Sequence, residues 1–237
     1  MTPRILGAMR LDYLWGRSYL VAYPAFFVLA FAIGTLAKMP IFTILLVVIL
    51  GVFIAGGVFA TQEKNHGDKL YGTLPLRRQD VVLGRYLYAL VLGVVASFVA
   101  WGLGYVASRV AGVDMGQLGP KRGTLGGTPG LNSFIMWSAI GFAFCYFCFA
   151  VAVAFPIYYH FGFSKAYFFT MLPLYLVFLV GFLVTRAINP GSIGVTNTVQ
   201  FLIDHVYLLP LAGLVLGLAF WSVSLFIARR VYAHKEI

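Results

Sequence analysis

The chain of 237 residues is 61% hydrophobic, 17% aromatic and 10% charged, with a mean hydropathy of +0.92. Soluble domains of this size carry about a quarter charged residues, so the composition excludes a soluble enzyme and places the chain among polytopic membrane proteins. The net charge of +10 does not point to nucleic acid, because the cations are scattered over polar connections between apolar runs, where positive-inside topology accounts for them.

Residues 1–18 read as an amphipathic interfacial helix. Ile5, Leu6, Met9 and Tyr13 fall at near-helical spacing, with Arg10 and Arg17 elsewhere on the wheel. The same residues read equally well as the start of the first span. No cleavable signal peptide is expected, since the segment carries Arg and runs into a span without a small-residue cleavage site.

Six spans are predicted from runs of roughly 20 apolar residues. The first covers 19–37 and turns at Lys38, Met39 and Pro40 into the second, 41–60, where Gly51, Gly56 and Gly57 suit close helix contact. A polar stretch, 61–85, leads to the third span, 86–108, in which Ala89, Gly93 and Ser97 form a small-residue face for helix packing or dimer contact. Residues 109–130 are rich in Gly and Pro and read as a loop. The fourth span, 132–155, is expected to end or kink at Pro156. The fifth, 166–184, contains Pro173, a predicted kink, and a polar connection over 186–204 precedes the sixth, 206–228. Gly213 and Gly217 there make a second face for helix packing or dimer contact.

Six spans put both termini on one side. With the termini in the cytoplasm, the inner segments hold 12 Lys and Arg and the outer ones 5, a bias that predicts this orientation in the cell membrane and puts 61–85 inside. No internal repeat is visible, which argues against an inverted-repeat carrier.

Catalytic and metal patterns are missing. All seven acids, Asp12, Glu63, Asp68, Asp80, Asp114, Asp204 and Glu236, fall outside the predicted spans or at their ends, whereas proton-coupled carriers keep an ionisable group near the midplane. There is no HExxH, GxSxG or Walker A pattern. Cys145 and Cys148 form a C-x-x-C in an apolar aromatic run, without the aqueous, electropositive setting that redox or metal chemistry needs, and read as buried filler. Asp204 with His205, and His66 near Glu63, read as interfacial or solvated polar residues. The chain is expected to be no enzyme and to hold no cofactor or metal of its own.

The 61–85 stretch is far longer than a turn between two helices requires. Within it Leu70, Tyr71, Leu74 and Leu76 are set among charges, and Pro75 interrupts the pattern before Arg77 and Arg78. A short amphipathic helix over 65–73, a Pro-marked turn and re-entry through 81–85 is the predicted form. Such an element offers an apolar knob with a charged rim, suited to docking; a solvated loop whose arginines hold topology reads equally well from the residues alone.

The run from Glu63 resembles the signature of the ABC-2-type permeases: Glu63, Lys64, Gly67 and Asp68, then Leu74, Pro75, Leu76 and Arg78, then Val82, Arg85 and Tyr86. The Arg10-Leu11-Asp12-Tyr13 run before the first span, the six spans and the chain length are also similar. The subgroup that includes peptide exporters such as the phenol-soluble modulin exporter looks closest. This resemblance implies a single permease domain over 1–237, all helical, with a cytoplasmic coupling helix between spans two and three. It implies a permease without an ATPase site, working with separate cytoplasmic ABC ATPase subunits that bind ATP and Mg, and with a second permease copy or paralogue. Carried over by residue, the coupling candidates are Glu63, Gly67, Asp68, Leu74, Pro75 and Arg78, and Lys64, Leu70 and Leu76 beside them complete the expected coupling set. The short outer connection favours export of amphipathic peptides or small hydrophobic compounds over polysaccharide. An uncoupled channel or secondary carrier, and a membrane immunity or scaffold protein, are the alternatives.

Overall fold

A computed structural model of the chain describes residues 3–38, 40–65, 77–112, 129–168, 172, 175–176 and 208–233, and every element among them is helical. The elements are α1 (Pro3–Leu36), α2 (Pro40–Lys64), α3 (Arg78–Ala111), α4 (Pro129–Phe161), the short α5 (Phe163–Ala166) and α6 (Leu208–Ala233). A helix satisfies every backbone group within its own segment, and in hydrocarbon only closed arrangements of this kind are tolerated. Among the described residues, four stretches are long and apolar enough to cross a membrane: Phe42–Lys64, Gln79–Ala111, Ser138–Phe161 and Pro210–Tyr232. A shorter apolar helix covers Tyr23–Leu36.

Backbone geometry marks the ends. Gly112 takes the left-handed conformation (φ 63°) and donates its amide to the Arg109 carbonyl, closing α3. Gly162 (φ 80°) closes α4, its amide bonded to the Tyr158 carbonyl at 3.0 Å.

The helix boundaries differ from those expected in four places. Residues 3–18 and the first span form one continuous helix of 34 residues. At about 1.5 Å per residue it is about 51 Å long, against roughly 30 Å of hydrocarbon, so its first turns run well beyond the apolar part. α2 continues to Lys64, and α3 begins at Arg78 rather than near Tyr86. α4 runs on through Pro156 to Phe161, because tertiary packing on both sides holds a turn that proline would otherwise weaken. The predicted fifth span lies outside the described residues except for 166–168, 172, 175 and 176, as do the predicted coupling helix and most of the two long connections.

The core forms where α2, α3 and α4 meet. Val47, Val48, Val52, Ala55 and Phe59 of α2 are buried against Val82, Tyr86 and Ala89 of α3 and Phe147, Val151 and Phe155 of α4. α1 packs on α2 and α3, and α6 packs along α4. The pairings give the directions. α1 and α3 run parallel, with Gly84 against Ala8 and Tyr88 against Gly16. α4 and α6 also run parallel: Gly141 lies on Pro210, Cys145 on Gly217, Phe149 on Phe220 and Tyr159 on Tyr232. The outward faces are apolar, with Val21, Val28, Val110, Val215 and Val223 well exposed, as suits lipid.

Close backbone approach sets the α4–α6 seam. A Cβ added at Gly141 would stand 2.5 Å from the Pro210 Cα and 2.7 Å from its carbonyl oxygen, and one at Gly213 would stand 2.7 Å from the Gly141 oxygen. Gly141→Ala therefore has to push these helices away from each other and destabilises by about 1–3 kcal/mol. Gly102→Ala, where an added Cβ meets nothing within 4 Å, leaves stability unchanged or raises it by up to about 1 kcal/mol. Thermal unfolding in mild detergent checks the pair; equal melting temperatures for the two variants would remove the glycine contact as the basis of this seam.

Candidate functional site: a polar belt at one end of the bundle

The first turns of α1 and α3 and the last turns of α2, α4 and α6 come together at one end, where the buried polar side chains Asp12, Gln62, Arg85 and Ser224 lie. On α1, Ala8, Asp12 and Gly16 recur every four residues and so share one face. All three are buried. That face lies on the start of α3: an added Cβ at Gly84 would stand 2.8 Å from Ala8 Cβ and 3.1 Å from the Met9 amide nitrogen, and one at Gly16 would stand 2.7 Å from the Tyr88 hydroxyl. Small residues on both helices bring the backbones together. Between them, Arg85 Nη2 donates to Asp12 Oδ1 at 3.1 Å, with both side chains at most 1% exposed.

Aromatic rings complete the setting of this pair. The Arg85 guanidinium lies over the Phe59 ring of α2, 4.3 Å from its centroid, and 5.7 Å from that of Tyr159 on α4. Phe59 in turn packs on Phe155, Tyr158 and Tyr159 with centroids 5.0–5.2 Å apart. One cation thereby touches elements from three helices besides its own.

Tyr86, the next residue, faces the other way. Its hydroxyl shares a 2.6 Å hydrogen bond with Ser224 of α6, and the Ser224 hydroxyl lies 2.9 Å from the Ala152 carbonyl of α4. Trp221 Nε1 donates to the Tyr86 carbonyl at 3.4 Å. At the end of α2, the Glu63 carboxylate accepts the backbone amides of Phe163 and Ser164 and the Ser164 hydroxyl.

The residues expected to matter for coupling are distributed as follows. Glu63 and Lys64 close α2, both exposed, and Arg78 opens α3; Gly67, Asp68, Leu70, Leu74, Pro75 and Leu76 lie outside the described residues. The packing candidates all touch other helices of the same chain or their own backbone. Ala89 is fully buried, a Cβ at Gly93 would meet the Phe147 ring at 2.5 Å, and the Ser97 hydroxyl donates to the Gly93 carbonyl at 2.8 Å. Gly213 and Gly217 lie against Gly141 and Cys145 of α4.

Asp12 lies ahead of the apolar stretch Tyr23–Leu36 of α1, yet it is wholly buried against α3, a contact that the sequence reading did not include. The repeat of Ala8, Asp12 and Gly16 is the available signal, since an acid centred on a small-residue face is aimed at a close neighbour. Ser224, Tyr159 and Ser164 carry no comparable signal. Among the described residues, no group of three or more His, Cys, Asp or Glu comes together that could hold a metal ion.

A bundle of long apolar helices of this kind is a multi-pass membrane protein. The family model for ABC-2 family transporter proteins matches residues 10–233, and the chain belongs to that family. Members are transmembrane permease subunits, which generally work with cytoplasmic ABC ATPase partners. No individual curated protein matches the chain.

Removing one partner of a buried ion pair leaves an uncompensated charge, which costs about 3–5 kcal/mol, whereas replacing both with apolar groups of similar size is close to neutral. Asp12→Leu and Arg85→Met are each expected to lower the detergent melting temperature strongly. The double variant recovers most of the loss. Additive losses in the double variant would mean that the two residues act separately and that the 3.1 Å contact is incidental.

Proposed function

We propose that this chain is the membrane-spanning permease subunit of an ATP-driven exporter, which moves amphipathic peptides or small hydrophobic compounds out of the cell. The observation that carries the reading is where the polar belt falls. Glu63 and Arg85, the flanks of the stretch that resembles an ABC-2 coupling segment, are both engaged with other helices of the bundle. A force applied to the connection between α2 and α3 therefore meets fixed points at either side.

The same geometry supports six crossings. α4 ends at the belt, α6 begins at the opposite end, and the two run parallel. A chain that joins two parallel helices has to return across the bundle, and the apolar run predicted at 166–184 is the segment able to do so. With α1 to α4 and α6 this makes six, and it supports both termini on the belt side. The 12 to 5 distribution of Lys and Arg favours the cytoplasm for that side. The coupling helix would then lie over 65–73, in reach of ATPase subunits that supply ATP and Mg. Kinship with the peptide-exporting subgroup rests on the motif from Glu63 to Tyr86, and the short outer connection favours peptide or small hydrophobic cargo over polysaccharide. A second permease copy or paralogue would complete the substrate path.

Co-expression with the ABC ATPase encoded next to its gene, followed by extraction in mild detergent, tests the reading. The ATPase should accompany the wild-type chain and be reduced about tenfold or more, roughly 1.4 kcal/mol of binding, by the Leu74→Asp, Arg78→Glu double change. Both permeases should insert equally. Absence of ATPase from the wild-type preparation would remove the exporter reading and bring forward the channel and scaffold alternatives.

A further inference from the structure

The end of α2 carries a contact with another element of the same chain. The Glu63 carboxylate receives three donors across the bundle: the Phe163 amide at 2.7 Å, the Ser164 amide at 3.0 Å and the Ser164 hydroxyl at 2.7 Å. Gly162 turns the chain there at φ 80°, and a Cβ at this position would stand 3.5 Å from the same carboxylate. An apolar underside backs the polar clasp. Phe163 packs on Tyr158 with centroids 5.1 Å apart, and Tyr158 packs on Phe59 at 5.2 Å. A Cβ on Gly56 of α2 would touch the Phe163 and Tyr158 rings at 3.5 Å. The last turns of α2 are thus joined by rings and by hydrogen bonds to the elbow where α4 gives way to α5.

We propose that Glu63 is a positioning residue for coupling that acts inside the permease: it ties the entry of the 65–76 stretch to the α4–α5 elbow and makes no contact with the ATPase. The inference rests on the permease reading above. α2 ends one residue later, at Lys64, so almost no slack separates the clasp from the stretch. Hydrogen bonds to a carboxylate are about twice as strong as neutral ones, and two backbone amides with one hydroxyl fix the direction of the carboxylate as well as its distance. Displacement of the stretch then moves the elbow, and with it the beginning of the chain that leads to α6. At the other flank Arg85 carries the same displacement to α1. Glu63 thereby divides one input between two groups of helices.

The test uses the permease–ATPase complex reconstituted in vesicles of phosphatidylethanolamine and phosphatidylglycerol, with steady-state ATP hydrolysis as readout for Glu63→Ala, Glu63→Gln and Ser164→Ala. All three are expected to keep a full complement of ATPase. In Glu63→Ala, kcat should fall about tenfold with KM for ATP unchanged, the pattern of a lost step after binding. Glu63→Gln, whose amide oxygen still accepts both backbone amides, should keep most of the wild-type kcat, and Ser164→Ala, which loses the hydroxyl's bond but keeps both amides, should fall about two- to threefold. Loss of ATPase from Glu63→Ala, with the wild type retaining it, would place Glu63 on the ATPase and overturn the inference alone. An unchanged kcat in Glu63→Ala, or a Gln variant as slow as Ala, would overturn it too. If Glu63→Ala fails to insert, the order Gln above Ser164→Ala, with both below wild type and both retaining ATPase, decides. A wild-type chain that retains no ATPase would sink the permease reading itself.

Discussion

Two charges taken out of water and set against each other at 3.1 Å impose more on this chain than any apolar contact. Desolvating a carboxylate and a guanidinium costs several kcal/mol each unless the geometry is nearly ideal, so Asp12 and Arg85 require their two helices to hold one register. The neighbouring residues meet that demand. Ala8 and Gly84 remove the side chains that would keep the backbones apart, and Gly16 leaves room for Tyr88. Phe59 covers the guanidinium with a ring face, replacing some of the lost hydration by a cation–π contact. An apolar pair at 12 and 85 would pack about as well but would tolerate slippage; the ion pair does not.

The belt also explains how five long helices behave as two connected groups. α1 and α3 run parallel with α2 against both, and α4 and α6 run parallel along a glycine seam. Successive residues on a helix point about 100° apart. Arg85 and Tyr86 therefore look in different directions from one place on α3, the first toward Asp12 and Phe59, the second toward Ser224. Two adjacent residues serve both groups. The α3 side chains below them, Ala89 and Gly93, are small enough for α4 to lie close, and the Phe147 ring fills the space at Gly93.

Much of this is legible in the residues, and the failures have physical causes. Apolar runs of membrane length locate α2, α3, α4 and α6, because composition alone decides whether a helix suits hydrocarbon. Their ends are misplaced wherever tertiary contacts prolong a helix beyond its apolar part. Pro156 is the plainest case: proline is a local signal for a stop, and packing of Phe155, Tyr158 and Tyr159 on Phe59 outweighs it. Asp12 escapes for the opposite reason. A single acid near a chain terminus looks solvated, and its partner is 73 positions away, beyond any local pattern. Glu63 is legible as a residue that matters through its place in a motif, but its partners, 100 and 101 positions on, are not.

Under the proposed coupling, these long-range partners bear on how work done outside the membrane would reach helices inside it. A loop attached only to the two helices it joins transmits force along those helices and no further. Here the flanks of the α2–α3 connection are bonded sideways, Glu63 to the α4–α5 elbow and Arg85 to α1. The two bonds differ in kind. Arg85 is buried in an ion pair that resists any change of register, whereas Glu63 is exposed at a glycine turn, where water competes for each hydrogen bond and the Phe163 and Tyr158 rings back the contact. One point of attachment is dry and the other is wet, and both tie the connection to helices it does not itself join.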